Sequence, residues 1–384
     1  MIVTHLRLTN WRNFRDVDVP LHERTYLLGA NASGKSNLLD VFRFLRDVSK
    51  PQGGGLQKAL SVRGGIQKIR CLHARRDPKV RMEIRLSENP GSPGNEWSYI
   101  LEFKAEGTGR QRTLITHEEV LKGETVILSR PDAGDKSDRD RLTQTAMEQI
   151  QGNAQFRNLA SFFSEVTYLH LVPQLLKYGE LIGGRRLEDD PFGQGFLERV
   201  AATPSRSRES RLKKIEGALV SAVPRFKELR FVHDERGHPH LEARYEHYRP
   251  KAGWQGEEAF SDGTLRLLGL LWTLLDGDSL LLMEEPELSL NDAIVAEIPA
   301  LINRVMRARK MQRQLLISTH SEALLRNRGI DGHGVLVLEP GGEGTKVRPV
   351  NEDERIALQS GLSVAEVVLP KTRPDGIKQL EMWP

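Results

Sequence analysis

Four groups of polar residues in this chain have the types and spacing to act together on a phosphate. The first is Gly29-Ala30-Asn31-Ala32-Ser33-Gly34-Lys35-Ser36, continued by Asn37. Its two glycines let the backbone curl so that successive N–H groups face phosphate oxygens. A helix starting at the loop would add the positive end of its dipole. Lys35 is placed to neutralise β- and γ-phosphates, and the Ser36 hydroxyl to serve as an Mg2+ ligand. The chemistry implied is binding of ATP with Mg2+.

Such a site also needs a carboxylate for the metal and a group that positions water. Leu280-Leu-Leu-Met-Glu-Glu285 offers Glu284 and Glu285 at the end of an apolar run. Successive strand side chains point in opposite directions, so the chain must turn after Glu284 for both to serve one site; Pro286 suits such a turn. Glu284 is expected on the metal, usually through water, and Glu285 on the attacking water. Leu315-Leu-Ile-Ser-Thr-His320 repeats the pattern, an apolar run ending in a polar group that could reach a γ-phosphate. Ser261-Asp-Gly263 precedes the helix that leads to Glu284. A helix cap accounts for Ser261-Asp262 by itself, whereas the order of all four segments points to a second phosphate-binding helix end.

The elements that position these groups follow from periodicity. Apolar strands are expected at 2–8 and 25–28, and a helix carries Leu38, Leu39, Phe42 and Leu45 on one face. Period-two alternation at 80–86, 98–103, 111–115 and 125–128 predicts antiparallel strands, with an exposed loop or helix mouth at 131–141. A strand is expected at 166–172. A helix between Pro204 and Pro224 should bury Leu212, Ile215, Leu219 and Val220, and a hairpin should pair 228–232 with 240–245. Toward the end, helices at 265–275 and 293–306 alternate with short apolar strands at 280–283 and 315–318, which implies a buried parallel sheet. Strands at 335–338 and 345–350 follow. The expected fold is α/β, with an ATPase core split between 1–79 and 256–384, an antiparallel lobe at 80–165, and a strand plus basic helical insertion at 166–255.

In their order these motifs resemble ATP-binding-cassette (ABC) ATPases of the RecF/SMC/OLD-like branch. Leu-Thr-Asn-Trp-Arg-Asn-Phe ahead of the phosphate loop is similar to that branch's start. Ser261-Asp-Gly-Thr-Leu-Arg266 resembles its signature, Glu284-Glu-Pro-Glu287 its Walker B, and Ser-Thr-His320-Ser its switch histidine. The resemblance implies that Gln174, after the 166–172 strand, is the Q-loop glutamine acting on Mg2+ and water, with Gln67 the weaker choice. It places 288–291 on the D-loop. It further implies that Ser261 and Gly263 meet the nucleotide held by Lys35 of a second copy, giving an ATP-dependent head-to-tail homodimer. Departures are Asp262 and Thr264 in the signature, Glu284 where Asp is commoner, and Asn291 in the D-loop.

Composition narrows the setting. A single cysteine, Cys71, excludes an internal disulfide and a cysteine metal cage, so a reducing, cytoplasmic location is expected. No uninterrupted apolar run is long enough to span a bilayer. Against a transporter subunit, Ser36 and Glu284 lie 284 − 36 = 248 positions apart, about double what the resemblance implies for a compact cassette. A non-hydrolysing ATP sensor is the alternative; Glu285 and His320 favour turnover. About sixty residues follow His320, few for a nuclease domain, so any nuclease or other effector is expected on a separate protein. The net charge of +4 says little by itself. DNA contact rests on Arg206, Arg208, Arg211, Lys213 and Lys214 of the basic helix. The four histidines 233, 238, 240 and 247 alternate too irregularly to be expected to bind metal.

Overall fold

The computed structural model describes residues 1–74, 77–88, 96–107, 112–182, 190–247, 253–309 and 313–372. Residues from 373 to Pro384 and Gln111, at the foot of an expected strand, lie outside them.

Fifteen strands form three sheets among the described residues. They are β1 (Ile2–Trp11), β2 (Phe14–Pro20), β3 (Arg24–Gly29), β4 (Val80–Ser87), β5 (Glu96–Ala105), β6 (Thr113–Lys122), β7 (Thr125–Arg130), β8 (Thr167–Leu169), β9 (Phe226–His233), β10 (Pro239–Tyr245), β11 (Gln255–Gly256), β12 (Leu281–Glu284), β13 (Leu315–Ser318), β14 (Val335–Gly341) and β15 (Gly344–Pro349). One sheet has the order β15-β14-β3-β13-β12-β8, with β14, β3, β13, β12 and β8 mutually parallel. Its strands read as continuous apolar runs because both faces are covered. Leu27, Leu282, Leu316, Leu336 and Leu338 enter the core on one face. Tyr26, Leu28, Leu281, Met283, Leu315, Ile317, Val335 and Val337 enter a second core on the other.

The second sheet is antiparallel, β2-β1-β4-β5-β6-β7. The strands expected from residue 80 onward do not stand apart from the N-terminal ones: β4 pairs with β1 along its length. The extra strand β2, which sequence periodicity missed, pairs back onto β1 after a turn at Arg12-Asn13. The helix Lys35–Ser49 lies between the two sheets, with Leu38, Leu39, Val41, Phe42, Phe44, Leu45 and Val48 all buried. A helix wrapped by apolar side chains on most sides is what a sandwiched position requires. Gln314 joins the layers, accepting from the Val3 N–H at 2.8 Å and donating to the Val3 carbonyl at 2.6 Å.

The segment 131–141, expected as an exposed loop or helix mouth, is exposed and carries the short helix Ala133–Ser137, and its one buried residue, Asp135, joins a buried charge cluster. Arg130 meets Asp135 and Glu118, each at 2.9 Å, and Glu118 also accepts from the Ala146 N–H. The strand expected at 166–172 is short, and its continuation bonds to Pro191 and Phe192. The basic helix spans Ser205–Ala222 and buries Leu212, Ile215 and Leu219, but Val220 is exposed. It packs on the small sheet β11-β10-β9.

Glu148 lies near this charged cluster and caps the helix Leu56–Ser61, accepting from the Leu56 and Thr145 N–H groups. Burial nevertheless raises its pKa to about 7. A carboxyl group raised in the folded state binds its proton there while the unfolded chain has lost it. Its contribution to stability is therefore complete below about pH 4.5 and declines as pH rises to about 7. Glu148→Gln is expected to flatten that part of the stability–pH curve, measured by urea unfolding at pH 4.5, 6 and 7.5.

Candidate functional site

The site forms where the parallel strands end. Glu284 of β12 is level with Ser318 of β13, and Ser318 is level with Leu27 of β3. Gly29, Glu284 and the Thr319-His320 segment therefore leave the sheet side by side, at the carboxyl edge where α/β folds bind ligands. The phosphate loop follows β3, and the helix Lys35–Ser49 starts at its end. Gly34 has φ of 101°, and a Cβ there would strike the Asn13 side-chain amide. Asn13 explains the fit: its amide donates to the Ser33 carbonyl (2.9 Å) and Thr345 hydroxyl (2.8 Å), and its oxygen accepts from Asn37 (2.8 Å). Trp11 adds a bond from its indole N–H to the Asn37 carbonyl at 2.9 Å. The turn between β1 and β2 is thus the buttress of the loop.

Lys35 lies buried across the loop, donating from Nζ to the Gly29 and Ala30 carbonyls at 2.9 and 3.2 Å. Burial lowers its pKa, while Glu285, Glu284 and Glu287 oppose that shift. Ser36 donates its hydroxyl to one oxygen of Glu284, and Tyr168 on the neighbouring β8 donates to the other. Burial and Glu284 together raise the Tyr168 pKa, so the phenol keeps its proton for this bond. Arg43 stacks on the Tyr168 ring at 4.1 Å.

The turn needed after Glu284 is present. Glu285 adopts φ of 44°, a left-handed conformation costing a non-glycine residue about 1–3 kcal/mol. Its N–H is held by the Ser318 carbonyl at 3.0 Å, and its carboxylate meets His320 Nδ1 at 3.1 Å. Glu284 and Glu285 consequently flank one edge, with His320 beside them.

Ser261 caps the helix Asp262–Leu275, accepting from the Thr264 N–H at 3.2 Å. Gly263 packs so closely on the segment after Walker B that a Cβ would lie 2.8 Å from the Ser289 carbonyl. Gln174 is exposed and donates to Asp262 at 2.8 Å, with Lys177 also 3.4 Å from Asp262. Its amide thus engages the signature helix, while both Glu284 oxygens are taken by Ser36 and Tyr168. Gln67 lines a different cavity of about 450 Å3 with Arg12, Asn13, Asn37, Arg70 and His73.

Three contributors escaped sequence reasoning. Tyr168 sat within a run read only as a strand. Thr319 and Glu287 were present in the quoted motifs without a role, yet Thr319 donates to Glu287 at 2.5 Å in the buried floor of the site. The histidines of the small hairpin gather no metal set: among the described residues no three potential ligands come together.

The residues fit ATP and Mg2+. The Ser33 hydroxyl is buried in the loop without a partner, Lys35 satisfies itself only on loop carbonyls, and Ser36 with Glu284 forms a pair of hard oxygen donors.

Comparison with known proteins places this site in a family. The family model described as "AAA domain, putative AbiEii toxin, Type IV TA system" matches residues 24–326. The chain belongs to that family, and its fold is that of an ABC-type P-loop ATPase. Its sequence is similar to the DNA replication and repair protein RecF of Agathobacter rectalis (29% identity over 92 residues, 23% of this chain and 25% of the relative). It is likewise similar to RecF of Roseiflexus castenholzii (32% over 92 residues, 22% and 23%). The match thus spans about a quarter of these relatives' length. In structure the chain is similar to an SmcHead bound to the C-winged helix domain of ScpA, with TM-score 0.56, 15% identity and coverage of 92% of this chain and 99% of that one. It is also similar to the Smc head domain with an extended coiled coil bound to the C-terminal domain of ScpA derived from Pyrococcus furiosus (TM-score 0.51, 13% identity, coverage 93% and 98%). These likenesses establish the fold.

Because Lys35 is buried at a cost and bonds only to nearby carbonyls, its removal should spare the fold. Lys35→Ala is expected to melt within a few degrees of the native protein but to lack the rise in melting temperature expected of the native protein in millimolar ATP with Mg2+, as read by differential scanning fluorimetry.

Proposed function

We propose that this protein hydrolyses ATP within a head-to-tail homodimer and uses the cycle to gate a separate effector protein, in association with DNA. The observation that carries the reading is the meeting of Ser36, Glu284, Glu285 and His320 at one sheet edge. In this proposal the loop from Gly29 to Asn37 cradles the phosphates and Lys35 neutralises them. Ser36 and Glu284 would hold Mg2+, which would supply charge to offset the phosphates, and Tyr168 keeps Glu284 oriented. Glu285 takes the proton of the attacking water, and His320 donates to the γ-phosphate. Gln174, which donates to Asp262, would be the amide available to the metal and water side.

The signature residues Ser261 and Gly263 are exposed or half-exposed at their own helix start, which leaves them available to a second copy's nucleotide. Each copy then supplies Lys35 to one site and Ser261 to the other, and loss of the γ-phosphate loosens the pair. A separate protein partner is supported by analogy with the two fold neighbours, both bound to parts of ScpA. DNA association is supported by the RecF relatives. No helix among the described residues is long and apolar enough to cross a membrane.

The structure redistributes the basic face expected to contact DNA. Arg208 donates to the Ala201 carbonyl at 2.9 Å and stacks on Phe231, and Arg211 is paired with Asp276 at 2.8 Å over Trp272. Arg206, Lys213 and Lys214 remain exposed. Replacing those three by Ala is expected to weaken DNA binding and flatten its log–log salt dependence by about one unit per lost phosphate contact. An unchanged slope rejects this surface. For the cycle itself, Glu285→Gln should bring phosphate release to background and give a dimer on gel filtration in ATP. Monomers under those conditions contradict the dimer, and a wild type that dimerises without releasing phosphate is a sensor.

A further inference from the structure

Asp262 stands between Ser261 and Gly263, the two residues offered to a second copy, yet it has no role of its own in the scheme above. Its helix does not depend on it for a cap, because the Ser261 hydroxyl already accepts from the Thr264 N–H. Its carboxylate is turned instead to another helix, Pro173–Ile182, which follows β8. Gln174 donates from Nε2 to Oδ2 at 2.8 Å, and the Lys177 ammonium lies 3.4 Å from Oδ1. Residues three apart share a helix face, so one carboxylate holds the first turn of that helix at two points.

The chemistry of the pair decides which way the amide lies. A carboxylate beside an ammonium can only accept, so the NH2 end of Gln174 has to face Asp262. That leaves Oε1, the end of an amide that can ligate a hard cation, turned away from Asp262, and it accepts from no described residue. The carboxylate is itself held in place. Further along, the two helices are locked by close packing: a Cβ on Gly269 would lie 2.8 Å from Leu171 Cδ1 and 3.6 Å from Leu176 Cδ2, and both leucines are buried. The core therefore resists any slide of one helix start against the other, and Asp262 meets Gln174 in a fixed relation.

We propose that Asp262 is a positioning residue for Gln174, setting its amide so that Oε1 is the end presented to the metal side of the phosphate site. Groups that ligate metals are commonly oriented, and made more basic, by an outer partner of this kind, and loss of the partner typically costs about 10–100-fold in metal affinity. Glu284 has such a partner too, since Tyr168 donates to one of its oxygens. Because Asp262 lies at the helix start that a second copy would meet, the same carboxylate also ties the metal side of one site to the signature contact of the other. The inference rests on the metal-side role given to Gln174 above.

The test is the affinity of the full chain for the non-hydrolysable ATP analogue AMP-PNP, measured by titration calorimetry once with Mg2+ and once in EDTA. Asp262→Ala is expected to weaken binding about tenfold with Mg2+ and to leave it within about twofold in EDTA. Gln174→Ala is expected to do the same, and the double variant to lose no more than either alone. Asp262→Asn, which keeps an acceptor oxygen for the amide, should recover most of the loss. An equal loss in EDTA marks a structural role at the helix start and overturns the proposal. Losses that add in the double variant overturn it as well, because Asp262 then acts without Gln174, for example on the second copy's nucleotide. No loss in Asp262→Ala beside the expected loss in Gln174→Ala rejects this inference alone, whereas a wild type that gains no affinity from Mg2+ rejects the functional reading together with it. Should Asp262→Ala fail to fold, Asp262→Ser, too short to reach the amide, carries the same comparison.

Discussion

Everything at the site depends on one register in the parallel sheet. Because β3, β13 and β12 run the same way and end level, the chain delivers the phosphate loop, His320 and the Glu pair to a single edge. A one-residue slip in any of these strands would turn its apolar set to the opposite face. Here both faces are buried by different cores, Leu282 and Leu316 on one side and Leu281, Met283, Leu315 and Ile317 on the other. The packing that holds the sheet together is therefore also what aligns the chemistry. Function in this chain is a by-product of core registration plus a few polar residues placed just beyond the last apolar one.

The polar residues then need local devices, each with a visible cost. Glu285 takes a left-handed conformation so that adjacent carboxylates share one edge, and the Ser318 carbonyl holds it there. Gly34 closes the loop against Asn13, a residue some twenty positions upstream, which makes the first hairpin part of the phosphate site. Glu287 and Arg266 keep unmet polar atoms in the interior. Such concentrations of strain and unsatisfied polarity are expected where a protein must change state rather than merely persist.

Much of this was legible in the sequence, because the strands of a doubly covered sheet read as apolar runs and the site groups sit at their ends. Glycine spacing marked the loop, and the order of the motifs marked the fold. What was not legible depended on partners distant in sequence. Tyr168 looks like any strand residue until β8 is placed beside β12, and β2 is too polar in alternation to be separated from a loop. The 131–141 segment is exposed, as its charge suggests, but nothing in its pattern shows that Asp135 turns inward to meet Arg130, which also pairs with Glu118. The basic helix misled in the opposite sense: spacing put five cations on one face, and only contacts with Phe231, Trp272 and Asp276 reveal that two are committed.

The central claim, that Lys35 and Ser261 of different copies share a nucleotide, can be tested by cross-linking at the two exposed positions that the proposal brings together. The chain's own cysteine, Cys71, is fully buried and leaves a low background. With Asn31→Cys and Ser261→Cys on separate, differently tagged copies, a short bismaleimide is predicted to join the two chains in ATP with Mg2+ and not without nucleotide. Absence of the mixed-tag product in ATP, or its equal formation without ATP, would contradict the account.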